Sequence, residues 1–560
     1  MTDIKIIPLG GVKEEGKNLY IVEVNRSLFI LDCGLVYPEE EMLGIDAVIP
    51  DFTYLESRRD DIVGIFLTHG HDDAMGALPY LLEVVDAPVF GTELTIELAT
   101  ITAKSQGLED RIENFFQIYA ETEIEFKDAT ISFFRTTHTI PDSVGIVVQT
   151  QIGSIVYTGD FKFDPSASGE YHTDFGRLTD IGESGVIALL SDSADAENYL
   201  PTVGDNKIIN NMSEVFMNHP GRVIVASIGS NIARIQQLFN AAFESGRKIF
   251  LADEQVYEII DVAIKLNKIS IPSKDIVGNI KDMNRLAPEE VLVLVTGDVG
   301  EPMKNIQTMA MKRHRRVNIE VGDLVYFATT PSISMETLFA KTSDLIYRAG
   351  ATVRTINDKY KFSGHANASD LKMLLSFIKP DYLIPINGES RMLFAHAAIA
   401  QEMGYDEDHI LIASPGDVME YRNGHLAITG QVPSGDILID GIGVGDIGNV
   451  VLRDRRILSE DGIFVVVATI SRRLGEVLVG PQITSRGFVY MKTSIDLIQA
   501  CSDMTIDILE EHLKLENQFD WGELKGELRE KIGKYLYKET KRRPVVLPII
   551  MEASSYQVNK

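Results

Sequence analysis

The stretch Ile62-Val63-Gly64-Ile65-Phe66-Leu67-Thr68-His69-Gly70-His71-Asp72-Asp73 constrains this chain more than any other. A short continuous apolar run predicts a strand buried on both faces of a layered α/β sheet. It leads without a spacer into His69-x-His71-x-Asp73, and a helical pattern, GALPYLLEVV, follows. In such folds the loops leaving the strand ends converge on one edge, where chemistry collects. Positions i, i+2 and i+4 of an extended or loop backbone point the same way, so two imidazoles and a carboxylate are expected in one small volume. Imidazole nitrogen and carboxylate oxygen are ligands that Zn²⁺ or Mn²⁺ accepts. Similar strand-end junctions recur at Ile155–Asp160 and Ala188–Asp192, and His138 follows Thr136-Thr137. HxHxD alone occurs by chance, but His69, His71, Asp73, His138 and Asp160, each at a strand end, together predict a metal site.

The rest of the chain sets the scale. At about 150 residues per domain, 560 residues predict three or four domains. The apolar fraction of 45% and charged fraction of 24% describe a folded globular chain rather than a disordered or fibrous one. No apolar run reaches the roughly 18 to 20 residues of a membrane span. The opening MTDIKIIPLGG reads as a strand rather than a secretory leader, so the mature protein is expected to begin here. Cys33 and Cys501 are the two cysteines, far apart, which excludes a disulfide framework and suits a reducing cytoplasm. With 53 basic against 82 acidic residues, a net −29, the chain is no nonspecific coat for nucleic acid. A local basic channel is still compatible with that balance. The basic clusters Lys312–Arg316 and Lys531–Arg543 read as solvated faces.

Four regions follow from the patterning. Strands broken by turns fill residues 1–200 and resume over 351–429, as at Gly364-His365 and Leu383–Gly388. Between them, helices alternate with strands (VIVASIG, ARIQQLFNAAFESG, KIFLA, VLVLVTG, LVYFATT), predicting an inserted parallel α/β domain over 201–350. Six glycines between Gly430 and Gly448 predict a linker or tight turns over 430–459. A small α/β domain over 460–560 should hold a strand at Ile463–Ile470, a helix at Thr493–Leu515 and a closing strand at Val545–Met551. Its amphipathic helix suggests an oligomer contact.

HxHxD, the distal His138 and the aspartate of Thr158-Gly159-Asp160 resemble the metallo-β-lactamase fold, an αββα sandwich. RTTHTIPDSVGI, TGDFKFDP, LLSDSADAE, SNIARIQQ, TGDVGEP, FSGHAN, INGESRML and VLRDRRILSEDG narrow the resemblance to the branch with an inserted β-CASP domain, and within it to the ribonuclease J family. The likeness covers essentially the whole chain. It implies one metal held by His69, His71 and His138, and a second held by Asp73, the residue after it and one in the INGE segment, with Asp160 bridging. It implies hydrolysis of RNA by a metal-activated water, with Asp192 and His365 as the β-CASP acid and histidine beside the scissile phosphate. Ser230, Asn231 and the segment from Lys361 through Ser363, Gly364 and His365 match positions that grip the RNA 5′ end.

Two departures alter that forecast. Position 74, where the family carries histidine, is Ala74, and the histidine expected before Gly388-Glu389 is Asn387. Both belong to the second metal, which keeps Asp73, a share of Asp160 and at best the amide oxygen of Asn387. Such a site suits Mn²⁺ or Mg²⁺ better than zinc and holds it loosely. Asp298 and Val299 in TGDVGEP also stand where polar residues are expected, adding a carboxylate near the RNA path. The pattern resembles the second, partner-type paralogue of the family.

Two functions therefore compete. One is a cytoplasmic, metal-dependent ribonuclease of rRNA maturation and mRNA decay, 5′→3′ from monophosphorylated ends and also internal, with weak activity of its own. The alternative is a catalytically impaired RNA-binding and assembly subunit of an active paralogue, as homodimer or heteromer, within an RNA-degradation complex. A lactamase or thioesterase explains neither the insertion nor SGHA. The histidines outside these motifs are expected in surface or core roles, His396 included, although it lies near enough to Asn387 to be weighed as a substitute ligand.

Overall fold

The computed structural model describes residues 2–38, 42–167, 169–200, 205–252, 255–297, 301–329, 335–356, 363–441, 443–445, 448–514 and 519–553. Lys361, Tyr360, Asp298 and Val299 lie outside the described residues.

The chain divides into two units, residues 1–37 with 47–437 and residues 38–46 with 438–560. The larger contains two stacked sheets. One has eight strands in the order His425–Gln431, Asp417–Arg422, Ile4–Gly10, Leu19–Val24, Ser27–Leu31, Ile62–Phe66, Val89–Gly91 and Phe115–Gln117. The other has six, ordered Tyr382–Ile386, Val186–Asp192, Gly153–Tyr157, Val144–Thr150, Thr130–Arg135 and Glu123–Glu125. Val22, Phe29 and Phe66 from the first meet Phe133, Ile146, Ile155 and Leu190 from the second in one dry core. Each such side chain contributes roughly 1.5–3 kcal/mol by leaving water. Helices Phe175–Glu183, Ala368–Ile378 and Ser390–Glu402 cover the outer face of the six-stranded sheet through Leu178, Leu371, Leu375 and Ile399. This is the metallo-β-lactamase sandwich.

A third, fully parallel sheet belongs to the inserted region, in the order Val277–Gly278, Lys248–Leu251, Val291–Val295, Val223–Ala226, Leu324–Phe327 and Thr352–Thr355. Its central strands are buried end to end, as crossover helices on both faces require. The last of its strands lies just past residue 350, where the sequence pattern turns back to the sandwich.

In the smaller unit, strand Ile463–Ser471 sits between Glu476–Arg486 and Val545–Glu552. Phe464, Val466, Ala468 and Ile470 alternate inward against helices Ile495–Leu513 and Trp521–Thr540, at Leu509, Leu528 and Ile532. The opposite sheet face carries exposed Leu547, Ile549, Met551 and Val479. The stretch expected as a linker is more ordered than its glycines suggest: strand Asp436–Asp440 lies within it, and helix Asn449–Glu460 closes it. Of the basic cluster after it, Lys531 pairs with Glu527, Lys534 with Glu530 and Arg542 with Asp461, a charge-paired face. No helix among the described residues is long and apolar enough to cross a membrane.

Candidate metal centre

The sandwich brings His69, His71, His138, Asp73 and Asp160 together at the strand ends. His69 leaves strand Ile62–Phe66 through Leu67 and Thr68, while His71 caps the short helix Asp72–Met75. Convergence therefore comes from a strand-to-helix turn, not from the extended alternation expected of HxHxD: Asp73 is already helical. Asp160 follows Gly159, whose left-handed φ of 56° and 2.8 Å clearance from Thr68 leave no room for a side chain. Gly364 performs a similar service, since a Cβ there would lie 2.9 Å from the His138 ring.

Each imidazole is oriented through the nitrogen that faces away from the centre. Thr68 Oγ1 donates to Asp32 Oδ2 at 2.8 Å and so accepts from His69 Nδ1 at 2.9 Å. His71 Nε2 donates to the Ser230 carbonyl at 3.1 Å, and His138 Nδ1 to the Gly364 carbonyl at 2.9 Å. Their remaining nitrogens carry lone pairs that converge: His71 Nδ1 and His138 Nε2 are 3.1 Å apart. His69 Nε2, buried with no hydrogen-bond partner, lies 3.8 Å from Asp160 Oδ2 and 3.8 Å from Asp73 Oδ1. A tetrahedral zinc with bonds of about 2.0–2.1 Å holds nitrogens at comparable spacing. Burial, reinforced by the neighbouring imidazoles, pushes His69 down to about 3 and His138 well below the usual histidine range, and burial also lowers His71. Neutral rings with orphaned lone pairs fit a single cation.

The second position does not fit one. Ala74 is buried and offers a methyl group. Asn387, with φ of 46°, accepts the Gly16 N–H on its Oδ1 at 3.2 Å. Its amide nitrogen therefore faces inward, donating to Asp160 Oδ1 at 2.7 Å and reaching Asp192 Oδ1 at 3.4 Å. The amide oxygen expected as a weak ligand is turned away and occupied. His396 is no substitute: it is buried at Ser193 Oγ, 3.0 Å from Nδ1, and burial lowers it to about 3.

Asp192 ends strand Val186–Asp192, and its Oδ2 accepts from His365 Nδ1 at 2.8 Å. Asp160 Oδ2 lies 3.9 Å from the same nitrogen. Burial disfavours a charged His365, but Asp192 and Asp160 outweigh it and hold the imidazole well above the usual range. Burial and then Asp73 raise Asp160. Burial opposes ionisation of Asp73, yet its carboxyl lies below the ordinary value, because it shares a hydrogen bond with Asp160, which is raised in turn. His365 and His138 stand 5.6 Å apart, ring to ring, so the cation neighbours the triad. Ser363 Oγ accepts from the His365 N–H at 3.1 Å. Ser230 reaches the centre through its carbonyl. Asn231 caps helix Ile232–Glu244 by accepting from Arg234 N–H at 2.9 Å, so its side-chain oxygen is already used.

Fold and site define a metal-dependent hydrolase of the metallo-β-lactamase superfamily, whose model matches residues 12–199. Models for the ribonuclease J β-CASP domain, the Zn-dependent metallo-hydrolase RNA specificity domain and the ribonuclease J C-terminal domain match residues 220–337, 350–412 and 450–553. The chain is 47% identical over 552 residues to a protein named Ribonuclease J 2 from Streptococcus pyogenes serotype M3, covering 99% of this chain and 100% of that one. Ribonuclease J 2 of Staphylococcus epidermidis (strain ATCC 12228) is 43% identical over 550 residues, 98% of each chain. A solved Enterococcus faecalis V583 protein of unknown function matches with a TM-score of 0.51 at 12% identity, covering 75% of this chain and all of that one, a likeness of fold alone. The chain belongs to the ribonuclease J family, and both of these relatives carry the name Ribonuclease J 2.

Proposed function

We propose that this ribonuclease removes nucleotides 5′→3′ from monophosphorylated RNA ends, cuts internally as a second activity, and works slowly on its own. The single observation that carries this is the convergence of three neutral imidazole lone pairs beside Asp160, next to a His365 held cationic by Asp192. His69, His71 and His138, with Asp160, would hold one zinc ion, which lowers the pKa of bound water and polarises a phosphoryl oxygen. His365 donates Nδ1–H to Asp192 and so offers its other N–H to a phosphoryl or leaving oxygen. Asp73 stays ionised and faces the triad, an acceptor for the proton of the attacking water. Ser363, Gly364, Ser230 and Asn231 form the path for the 5′ end, and the hydroxyl of Ser363 and the N–H of Gly364 suit a terminal phosphate. A second ion, Mn²⁺ or Mg²⁺, binds weakly at most, because the inward-facing Asn387 is a donor.

The same Asn387 geometry favours the second reading, an RNA-binding subunit assembled with an active paralogue in a cytoplasmic RNA-degradation complex. The division into 1–200 with 351–429, 201–350, 430–459 and 460–560 assigns catalysis, RNA closure, connection and assembly. For assembly, the exposed sheet face of Leu547, Ile549 and Met551 is a better contact than the helix, whose Ile508 and Leu509 are spent on its own unit. With RNA labelled at its 5′ end, the exonuclease reading expects labelled mononucleotide as the first product; labelled oligonucleotides alone would refute it. Removal of residues after Ser459 should give a monomer by sedimentation, and an unchanged dimer would refute the assembly role.

A further inference from the structure

The nitrogens that orient two of the three imidazoles bond to backbone outside the strands that carry them. Ser230, whose carbonyl holds His71, lies in the inserted region at the start of helix Ile232–Glu244. Three residues on, Ala233 N–H donates to the carbonyl of Thr139, the residue after His138, at 3.0 Å. A third tie reaches the same loop. Lys268, just beyond inserted helix Gln255–Lys265, places Nζ 2.8 Å from Asp142, 2.7 Å from Glu170 and 3.2 Å from Glu93.

These carboxylates belong to three separate pieces of the sandwich. Asp142 lies in the loop 136–143 that carries His138, Glu170 lies in the turn Gly169–Tyr171, and Glu93 opens helix Glu93–Ser105. The Lys268 side chain is only 5% exposed. One largely buried cation therefore neutralises part of a cluster that would otherwise repel itself. Asp142 is 13% exposed, whereas Glu93 at 40% and Glu170 at 46% face solvent, so the pair with Asp142 carries most of the tie. The bonds at Ser230, Ala233 and Lys268 all join the insertion to the segments bearing His71 and His138.

We infer that Lys268 is a positioning residue for the metal centre: by clamping the inserted domain onto Asp142, Glu170 and Glu93, it keeps the Ser230 carbonyl on His71 and the Thr139 carbonyl on Ala233. The inference rests on reading the histidine triad as a metal site. Groups that orient a ligand imidazole typically govern 10–100-fold in metal affinity. Linkage is reciprocal, so a metal on the triad must tighten the insertion by the factor with which the insertion tightens the metal.

The test uses the full-length chain with zinc as probe. Competition against a zinc chelator should show Lys268→Gln binding zinc about tenfold more weakly, with Lys268→Arg within about threefold of the parent. A folded Lys268→Gln with the parent affinity would overturn the inference. Should Lys268→Gln fail to fold, Asp142→Asn, which removes the most buried partner and leaves the lysine paired twice, should weaken zinc about threefold; an unchanged constant there would overturn it. Hydrogen exchange gives a readout that a merely structural lysine would not move: zinc should slow exchange at the Ala233 amide in the parent, and identical exchange with and without zinc counts against the coupling. If the parent takes up no zinc, the triad reading fails instead. The clamp is then judged without metal, where Lys268→Gln must exchange faster at Ala233 than the parent, and equal rates would refute it.

Discussion

Asn387 donates its side-chain amide to Asp160 across 2.7 Å, and the Gly16 N–H on its oxygen dictates that orientation. A histidine at this point would present a lone pair to a cation. Asn387 presents hydrogens, to Asp160 and toward Asp192, so a neutral NH₂ group lies between two buried carboxylates. The position where a second metal was expected is hydrogen-bonded instead.

Metal content follows. Zinc-loaded parent should contain one equivalent per chain by elemental mass spectrometry. Ala74→His combined with Asn387→His should contain two, since both lost imidazoles return. Two equivalents in the parent would contradict the reading of Asn387.

Asn387→Asp changes one atom and reverses the logic. A third carboxylate then faces Asp160 and Asp192, and the metal-free variant should lose on the order of 2–3 kcal/mol in urea unfolding. Added Mn²⁺ should restore much of that loss, because ligand that binds only the folded state stabilises it. The parent should respond far less at the same Mn²⁺ concentration.

Asp32 supplies a pH signature. Burial pushes its carboxyl up to about 7, against hydrogen bonds from Tyr157 and Thr68 that favour the charge. Its folded pKa exceeds the unfolded value, so its stabilising contribution is complete below about pH 4 and is lost as pH rises through about 7. Thermal unfolding of the parent should therefore lose ground to Asp32→Asn between about pH 4 and 8, by on the order of 2–4 kcal/mol. A difference independent of pH would rule this out.

Arg247 tests the inserted domain. Its guanidinium reaches the carbonyls of Phe216, His219, Gly221 and Val291, tying helix ends to the parallel sheet. Arg247→Met should destabilise by about 3–5 kcal/mol, because several buried carbonyls lose their donor together. Zinc content should fall less than in Lys268→Gln, whose contacts reach the His138 loop directly.

The sandwich and the triad were legible because both announce themselves locally. Ile62–Leu67 reads as a buried strand, and strand ends converge by topology, so His69, His71, His138 and Asp160 meet as expected. The departures from the family pattern were legible too, as Ala74 and Asn387. The facing of Asn387 was not, since it depends on a backbone N–H of Gly16, distant in sequence. Lys268 was invisible for the same reason: the local run KLNKIS gives no hint of Glu93, Asp142 and Glu170. Helix Asn449–Glu460 escaped notice because the glycines before it read as a spacer and its apolar residues are few.

The most direct test of the central claim compares mononucleotide release from 5′-monophosphorylated RNA by the purified parent, His69→Ala, and Ala74→His/Asn387→His, each with Mn²⁺. The parent should turn over slowly, His69→Ala should fall to background, and the double variant should exceed the parent by at least about tenfold, a gain of roughly 1.4 kcal/mol in transition-state stabilisation. A parent already as fast as the double variant, or activity that survives His69→Ala, would contradict the account.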